Sequence, residues 1–356
     1  MKILHTADLR LGAKFFGLGR TGDKVRAQLK RAWTAVVETA IAEKVDAVMV
    51  AGGMFDSCDI SRPAVEFVLK EITRLGAVPV VMIPGLRDHL GKGSLYYHFD
   101  LMDRPENLFV LTAEHETIEL KSLGLTVIGC PADGPKSKES PLSGVLAPKD
   151  KLSIVLASGS WNGDNYPITE ADIAKTGATY VALGGEPAFK SGAAKKTCYA
   201  FSGPPEAHDF ASPSPAGVAI VDLEQKPAEV RFEPLGVLIW KEEKLKSVEG
   251  VKNLLEKEKG ENRLLKIHLT GERTPADPEG DEFLNGFKDQ FLYVDIQDER
   301  KITLEKKKYP AQTVAGHFIH LTEEQAKKAP AEEKALYEEI MAAGLSFVTP
   351  AQKERA

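Results

Sequence analysis

Cysteine is scarce in this chain: Cys58, Cys130 and Cys198 are the only three among 356 residues. They form no CxxC pair and are odd in number, which argues against a disulfide scaffold and for a reduced, cytoplasmic setting. No apolar run approaches the ~20 residues that a membrane-spanning helix needs. The chain enters a strand directly, without a charged-then-apolar leader, so a soluble protein with no signal peptide is expected. There is no excess of positive charge, the formal net charge being -6. That argues against a globally basic nucleic-acid binder and leaves room for a local basic groove. Neither a Walker-type loop nor a G-x-S-x-G elbow occurs. What is present is an ordinary globular balance, 43% hydrophobic and 28% charged, long enough for two domains and a tail.

The first twelve residues, MKILHTADLRLG, read as a short apolar strand ending at Asp8. A carboxylate there lies where open α/β sheets bind ligands. Three later stretches repeat the pattern of an apolar strand running into a tight charged loop: VMVAGGMFD (48–56), VVMIPGLRD (80–88) and YVALGGEP (180–187). Four such ends on one rim would build a single site. Between the first two strands, Val25, Leu29, Trp33, Val36, Val37, Ala40 and Ile41 recur at helical spacing and predict a helix of roughly 20 residues with one buried stripe. Ser61 with Pro63 opens a second helix and Gly76 closes it. Strand–helix–strand–helix–strand at this spacing predicts a parallel sheet. From about residue 108 short strands follow closely, with a capping box at Thr169-x-x-Asp172. The whole predicts two packed sheets, part parallel and part antiparallel, with helices outside.

Beyond residue 236 a helix (Val248 to Lys259), the strand LLKIHLTG, a helical stretch near Phe283 to Phe287 and the strand FLYVDIQD predict a small α+β domain over 237–310. Residues 311–356 form a charged, Ala-rich helical segment interrupted by Pro330. It packs on its own protein or docks a partner; periodicity alone does not choose.

The order of these motifs resembles the calcineurin-like metallophosphoesterases, and more narrowly the SbcD-type exonuclease subunit of double-strand-break repair. MKILHTADLRLG looks like that family's opening strand and D-x-H motif, VMVAGGMFD like G-D-x-F-D, and PGLRD like P-G-N-H-D. VLASGS sits where the family has a His-Gly, YVALGGEP where it has G-H-x-H, and SGPPEAHDF (202–210) echoes a further stretch. The resemblance implies the two-sheet phosphoesterase sandwich over 1–236, with 237–310 as a capping domain. It also implies a pair of divalent ions, manganese in the family, held by Asp, His and Asn side chains.

Most of those ligands are replaced here. Asp8 matches. The first-motif His is Arg10, the bridging Asp is Gly53, the Asn is Leu86 and the catalytic His beside it is Arg87. The His before glycine is Ser158, and the two His of the last loop are Gly185 and Pro187. Gly and Pro offer no ligating side chain, and a guanidinium repels a metal ion. Asp56 and Asp88 remain, at positions the family does not use as direct ligands. None of the eight histidines, His89 included, falls on a ligand position.

The expectation is a non-catalytic SbcD-like homologue, metal-free and without a cofactor, serving as a binding or structural subunit in DNA repair or processing. Arg10 and Arg87 then pair with Asp8, Asp56 and Asp88, knitting together the loops that metal would hold. Two alternatives stay open: an active nuclease or phosphodiesterase with a relocated set such as Asp8, Asp56, Asp88 and His89, and a sensor binding a phosphate compound through Arg10 and Arg87. By resemblance the partners are DNA and an SMC-like, SbcC-type ATPase engaged through 311–356, with a homodimer also open and no membrane. Lys14 and Arg20, in the loop GAKFFGLGRTG, and Lys190, Lys195 and Lys196 are weaker candidates for a basic rim, more simply read as solvated surface. Cys58 has no paired base and is not expected to be a nucleophile.

Overall fold

The structure, a computed structural model, describes residues 1–97, 103–212, 215–274, 277–302, 309–330 and 333–348. His98 and parts of the 311–356 segment (331–332 and 349–356) lie outside the described residues. The chain divides into two compact units, Met1–Trp240 and Lys241–Ala356.

The first unit runs β1 (Lys2–Thr6), α1 (Thr21–Ala42), β2 (Ala47–Val50), α2 (Arg62–Thr73), β3 (Val80–Met82), β4 (Leu108–Val110), β5 (Glu116–Leu120), β6 (Leu125–Cys130) and β7 (Leu152–Ser158). It continues with the short pair β8 (Ser160–Trp161) and β9 (Pro167–Ile168), then α3 (Glu170–Thr176), β10 (Tyr180–Gly184), β11 (Lys190–Ala194), β12 (Thr197–Phe201), β13 (Gly217–Asp222) and β14 (Glu229–Pro234). Two six-stranded sheets result, ordered β14-β13-β1-β2-β3-β4 and β11-β12-β10-β7-β6-β5. Strands β1 to β4 are parallel, β13 is antiparallel to β1, and β14 is antiparallel to β13. In the second sheet β6, β7, β10 and β12 are parallel, and the edge strands β5 and β11 are antiparallel. This is the expected mixed α/β sandwich, consistent with a metallophosphoesterase fold.

Strand periodicity sorts the side chains into layers. Ile3, Met49 and Val81 join Val127, Ile154, Leu156 and Tyr180 between the sheets, all fully buried. Leu4, Val48, Val50 and Met82 point the other way and pack under α1 and α2 against Leu29, Trp33, Val36, Val68 and Ile72. The stripe on α1 is buried from Val25 to Ala40, whereas Ile41 is 48% exposed. It falls in the last turn of the helix. On α3 the reciprocal capping box between Thr169 and Asp172 is formed.

Strand β15 (Ile239–Leu245) begins at the end of the first unit and runs into the second, where α4 (Val248–Lys257), β16 (Gly260–Leu269), the short β17 (Glu272–Arg273), β18 (Phe291–Asp298) and β19 (Lys301–Ile302) precede α5 (Val314–Lys328) and α6 (Lys334–Val348). A three-stranded sheet is ordered β15-β16-β18, and Val251 and Leu255 of α4 pack on Leu265, Ile267 and Leu269. Two details differ from the sequence expectation. The stretch near Phe283 to Phe287 forms two 3-10 turns, Gly280–Leu284 and Lys288–Gln290; Gly286 between them has φ 84, which an α-helix does not accommodate. Strand β15 was not expected, because its alternating residues are mostly Lys and Glu and leave no apolar signal. Helices α5 and α6 pack through Ala315, Ile319, Met341 and Leu345. Among the described residues no helix is long and apolar enough to cross a membrane.

Candidate functional site

The loops leaving β1, β2, β3, β7 and β10 meet at one rim, as the repeated strand-end pattern predicts. Beyond the last residues of β1 and β2 the chain stays paired: the Asp8 N–H donates to Gly52 O at 3.0 Å and the Arg10 N–H to Gly53 O at 2.9 Å. Asp8 and Arg10 both take left-handed backbone, φ 55 and 53, a conformation Asp tolerates better than Arg. The loops touch backbone to backbone. Gly53, at φ 68, has its missing Cβ only 2.6 Å from Asp8 Oδ1 and 2.9 Å from Asp8 Cα. Any side chain at 53 therefore forces the two loops apart. Gly185, at φ 100, lies with its missing Cβ 2.5 Å from Gly159 O. A ligating side chain has no room at either position in this arrangement.

The carboxylates divide their work in a way the sequence did not reveal. Asp8 bonds to neither arginine; its Oδ2 accepts the Gly185 N–H at 2.7 Å, tying the β10 loop to the β1 loop. Asp8 retains a little exposed surface, yet it is ringed so closely that burial dominates and pushes its carboxyl up to about 7. The Gly185 bond and the more distant Arg10 and Arg87 pull the other way, and Asp88 adds to the rise. Asp88 is fully buried and also bonds to neither arginine. It accepts the backbone N–H groups of Gly53 (3.2 Å), Phe55 (3.0 Å) and Gly85 (2.8 Å) and the Tyr96 hydroxyl (2.6 Å). Burial raises its carboxyl and these four donors oppose the rise.

Both guanidiniums converge instead on Asp56. Arg10 Nε bonds Asp56 Oδ1 at 2.7 Å, and Arg87 Nη1 stands 3.6 Å from the same oxygen. Of the three aspartates expected to pair with these arginines, Asp56 alone does so. A second carboxylate comes from an unexpected quarter: Asp209 Oδ2 lies 3.6 Å from Arg10 Nη1 and 3.7 Å from His208 Nε2. Burial and the neighbouring Arg10 push the His208 imidazole down to about 4, so it stands neutral beside the pair. His208 and Asp209 belong to SGPPEAHDF, which looked like a family echo rather than a site. The available signal was its position, a charged loop following the apolar strand β12.

The remaining positions are inert in this structure. Leu86 is half-buried and Pro187 exposed, and the buried Ser158 hydroxyl makes no hydrogen bond among the described residues. His89 does not join Asp8, Asp56 and Asp88 in a cluster. Among the described residues no group of three or more His, Cys, Asp or Glu side chains is placed to hold a metal ion. The Cys58 thiol donates to His89 O at 3.3 Å, and burial raises its pKa. His5 is a core histidine bonded to the Tyr180 hydroxyl at 2.9 Å, pushed by burial down to about 3. Of the basic candidates, Lys190 lies 3.4 Å over the Trp161 ring and Lys14 5.9 Å over that of Phe16, whose side chain is 85% exposed.

The chain is similar to metallophosphoesterases. No family model matches it. It is 26% identical to the uncharacterized metallophosphoesterase YhaO of Bacillus subtilis over 52% of this chain and 48% of that one. It is 37% identical to the DNA double-strand break repair protein Mre11 of Aeropyrum pernix over 24% of this chain and 21% of that one. The Mre11 of Sulfurisphaera tokodaii is 24% identical over 44% of this chain and 40% of its own. The chain thus spans about half or less of the curated relatives it matches. Among solved structures, TT1561 of Thermus thermophilus matches at TM-score 0.42 and 14% identity, over 66% of this chain and 98% of that one.

Proposed function

We propose that this protein is a non-catalytic, SbcD-like relative of the metallophosphoesterases that acts as a binding or structural subunit in DNA repair or processing. One observation carries the proposal: the strand-end rim is held together by hydrogen bonds and ion pairs between protein groups. The Gly185 N–H on Asp8 and the four donors on Asp88 join the loops of β1, β2, β3 and β10 directly. The Arg10–Asp56–Arg87 pairing adds permanent positive charge where a two-metal centre places its own. Glycines at 53 and 185 allow the close approach and leave no ligand behind. The similarity to proteins named for DNA double-strand break repair supports the DNA-processing context. An SMC-like ATPase engaged through the C-terminal helices, and DNA, are the partners this reading proposes.

The test is turnover of linear DNA and of a simple phosphodiester with manganese supplied in excess. No manganese-dependent cleavage above a no-enzyme control is expected. Cleavage that Asp8→Ala abolishes would overturn the proposal in favour of an active enzyme using Asp8, Asp56, Asp88 and His89.

A further inference from the structure

Arg10 and Arg87 carry more donors than the rim satisfies. Among the described residues the only hydrogen bond from either guanidinium is Arg10 Nε to Asp56. The next acceptors stand just out of reach, at 3.6 Å for Arg87 Nη1 to Asp56 and 3.6 Å for Arg10 Nη1 to Asp209. Asp209 Oδ2 is likewise 3.7 Å from His208 Nε2. Its other oxygen is held by the Ala211 N–H at 3.0 Å and the Ser212 hydroxyl at 2.8 Å. One carboxylate oxygen thus faces a guanidinium nitrogen and an imidazole nitrogen and bonds to neither. It stands where an anion would, supplied by the protein's own chain.

We propose that Arg10 and Arg87, with His208 beside them, form a metal-free receptor for a phosphate-class oxyanion, and that Asp209 is the internal carboxylate such an anion displaces. The inference rests on the non-catalytic reading of the rim and names the ligand it keeps. A guanidinium presents its donors in a planar fork that matches two oxygens of a tetrahedral anion. Arg87 is 53% exposed and Asp209 47% exposed, so the position opens to solvent and the carboxylate can swing aside. With Asp209 displaced, Asp56 is the one carboxylate left within ion-pair distance of the two guanidiniums, beside a neutral His208, so guanidinium charge is left for an anion. One negative charge is what each phosphodiester of a nucleic acid carries; free phosphate or a phosphomonoester offers the same oxygens.

The experiment is calorimetric titration of the full chain, in chelator at fixed ionic strength, with inorganic phosphate and with a short single-stranded oligonucleotide. Binding is expected without metal. Arg87→Ala, at a half-exposed position, should weaken it by about tenfold or more, the loss of a charge-assisted pair. Asp209→Asn keeps the bonds to Ala211 and Ser212, removes the competing charge and should tighten binding several-fold. Equal sensitivity of both probes to these variants would identify a phosphodiester ligand, and a response to phosphate alone a free phosphate or monoester. Absence of binding in both wild type and Asp209→Asn, or binding indifferent to Arg87→Ala, would overturn the receptor. Metal binding and cleavage are read separately, so either reading can fail alone.

Discussion

Asp8→Asn is expected to make the protein more stable at pH 8, by roughly 2–4 kcal/mol, and to leave it nearly unchanged at pH 4. Asp8 is pushed up to about 7 in the folded protein, against an ordinary 3.8. Between those values the folded state keeps a proton that the unfolded state has released. Stability contributed by this group therefore falls as pH rises from about 4 to about 7, and stays low above. Holding the charge in the site corresponds to on the order of 4 kcal/mol, trimmed by the solvent that still reaches the residue. Asparagine removes the charge, still accepts the Gly185 N–H and suits the left-handed backbone at φ 55. Urea unfolding of both proteins at pH 4 and pH 8 gives the result. A variant less stable than wild type at pH 8 would mean that Asp8 bears its charge against a bound cation.

The opposite outcome is expected at Asp88. Replacing it with alanine orphans three buried backbone donors, on Gly53, Phe55 and Gly85, and takes the carboxylate away from the Tyr96 hydroxyl, around a side chain with no exposed surface. Each buried donor left unmet costs about 1–3 kcal/mol, so a loss of at least roughly 3 kcal/mol is expected, enough to unfold a marginal protein. Asp88→Asn should fall between alanine and wild type, since its amide keeps one acceptor and turns an N–H toward donors. Denaturation midpoints and soluble yield measure the series. A loss under about 1 kcal/mol for alanine would show that Asp88 does not join the β2 and β3 loops.

These contrasting aspartates explain what the sequence could and could not show. Strands were legible because buried parallel strands are apolar runs, and α1 because its stripe repeats at helical spacing. The convergence of strand ends followed from four runs each ending in a charged turn. Which carboxylate serves which donor was not legible. Asp8, Asp56 and Asp88 are chemically equal on paper; in the fold Asp88 takes the backbone N–H groups of Gly53, Phe55 and Gly85, and Asp56 takes both arginines. His208 and Asp209 arrive from a loop more than a hundred residues downstream, brought in by pairing of β13 with β1. Strand β15 hid behind its lysines and glutamates, and the 3-10 turns around Gly286 behind an apolar spacing that suits a helix equally well.

The central claim is that protein groups have replaced the metal pair, and calorimetric titration of chelator-treated protein with manganese tests it most directly. The prediction is no binding in the micromolar range, with unfolding midpoints unmoved by the ion. Tight uptake of two ions per chain, raising the midpoint through mass action, would contradict it and return the rim to metal-dependent hydrolysis.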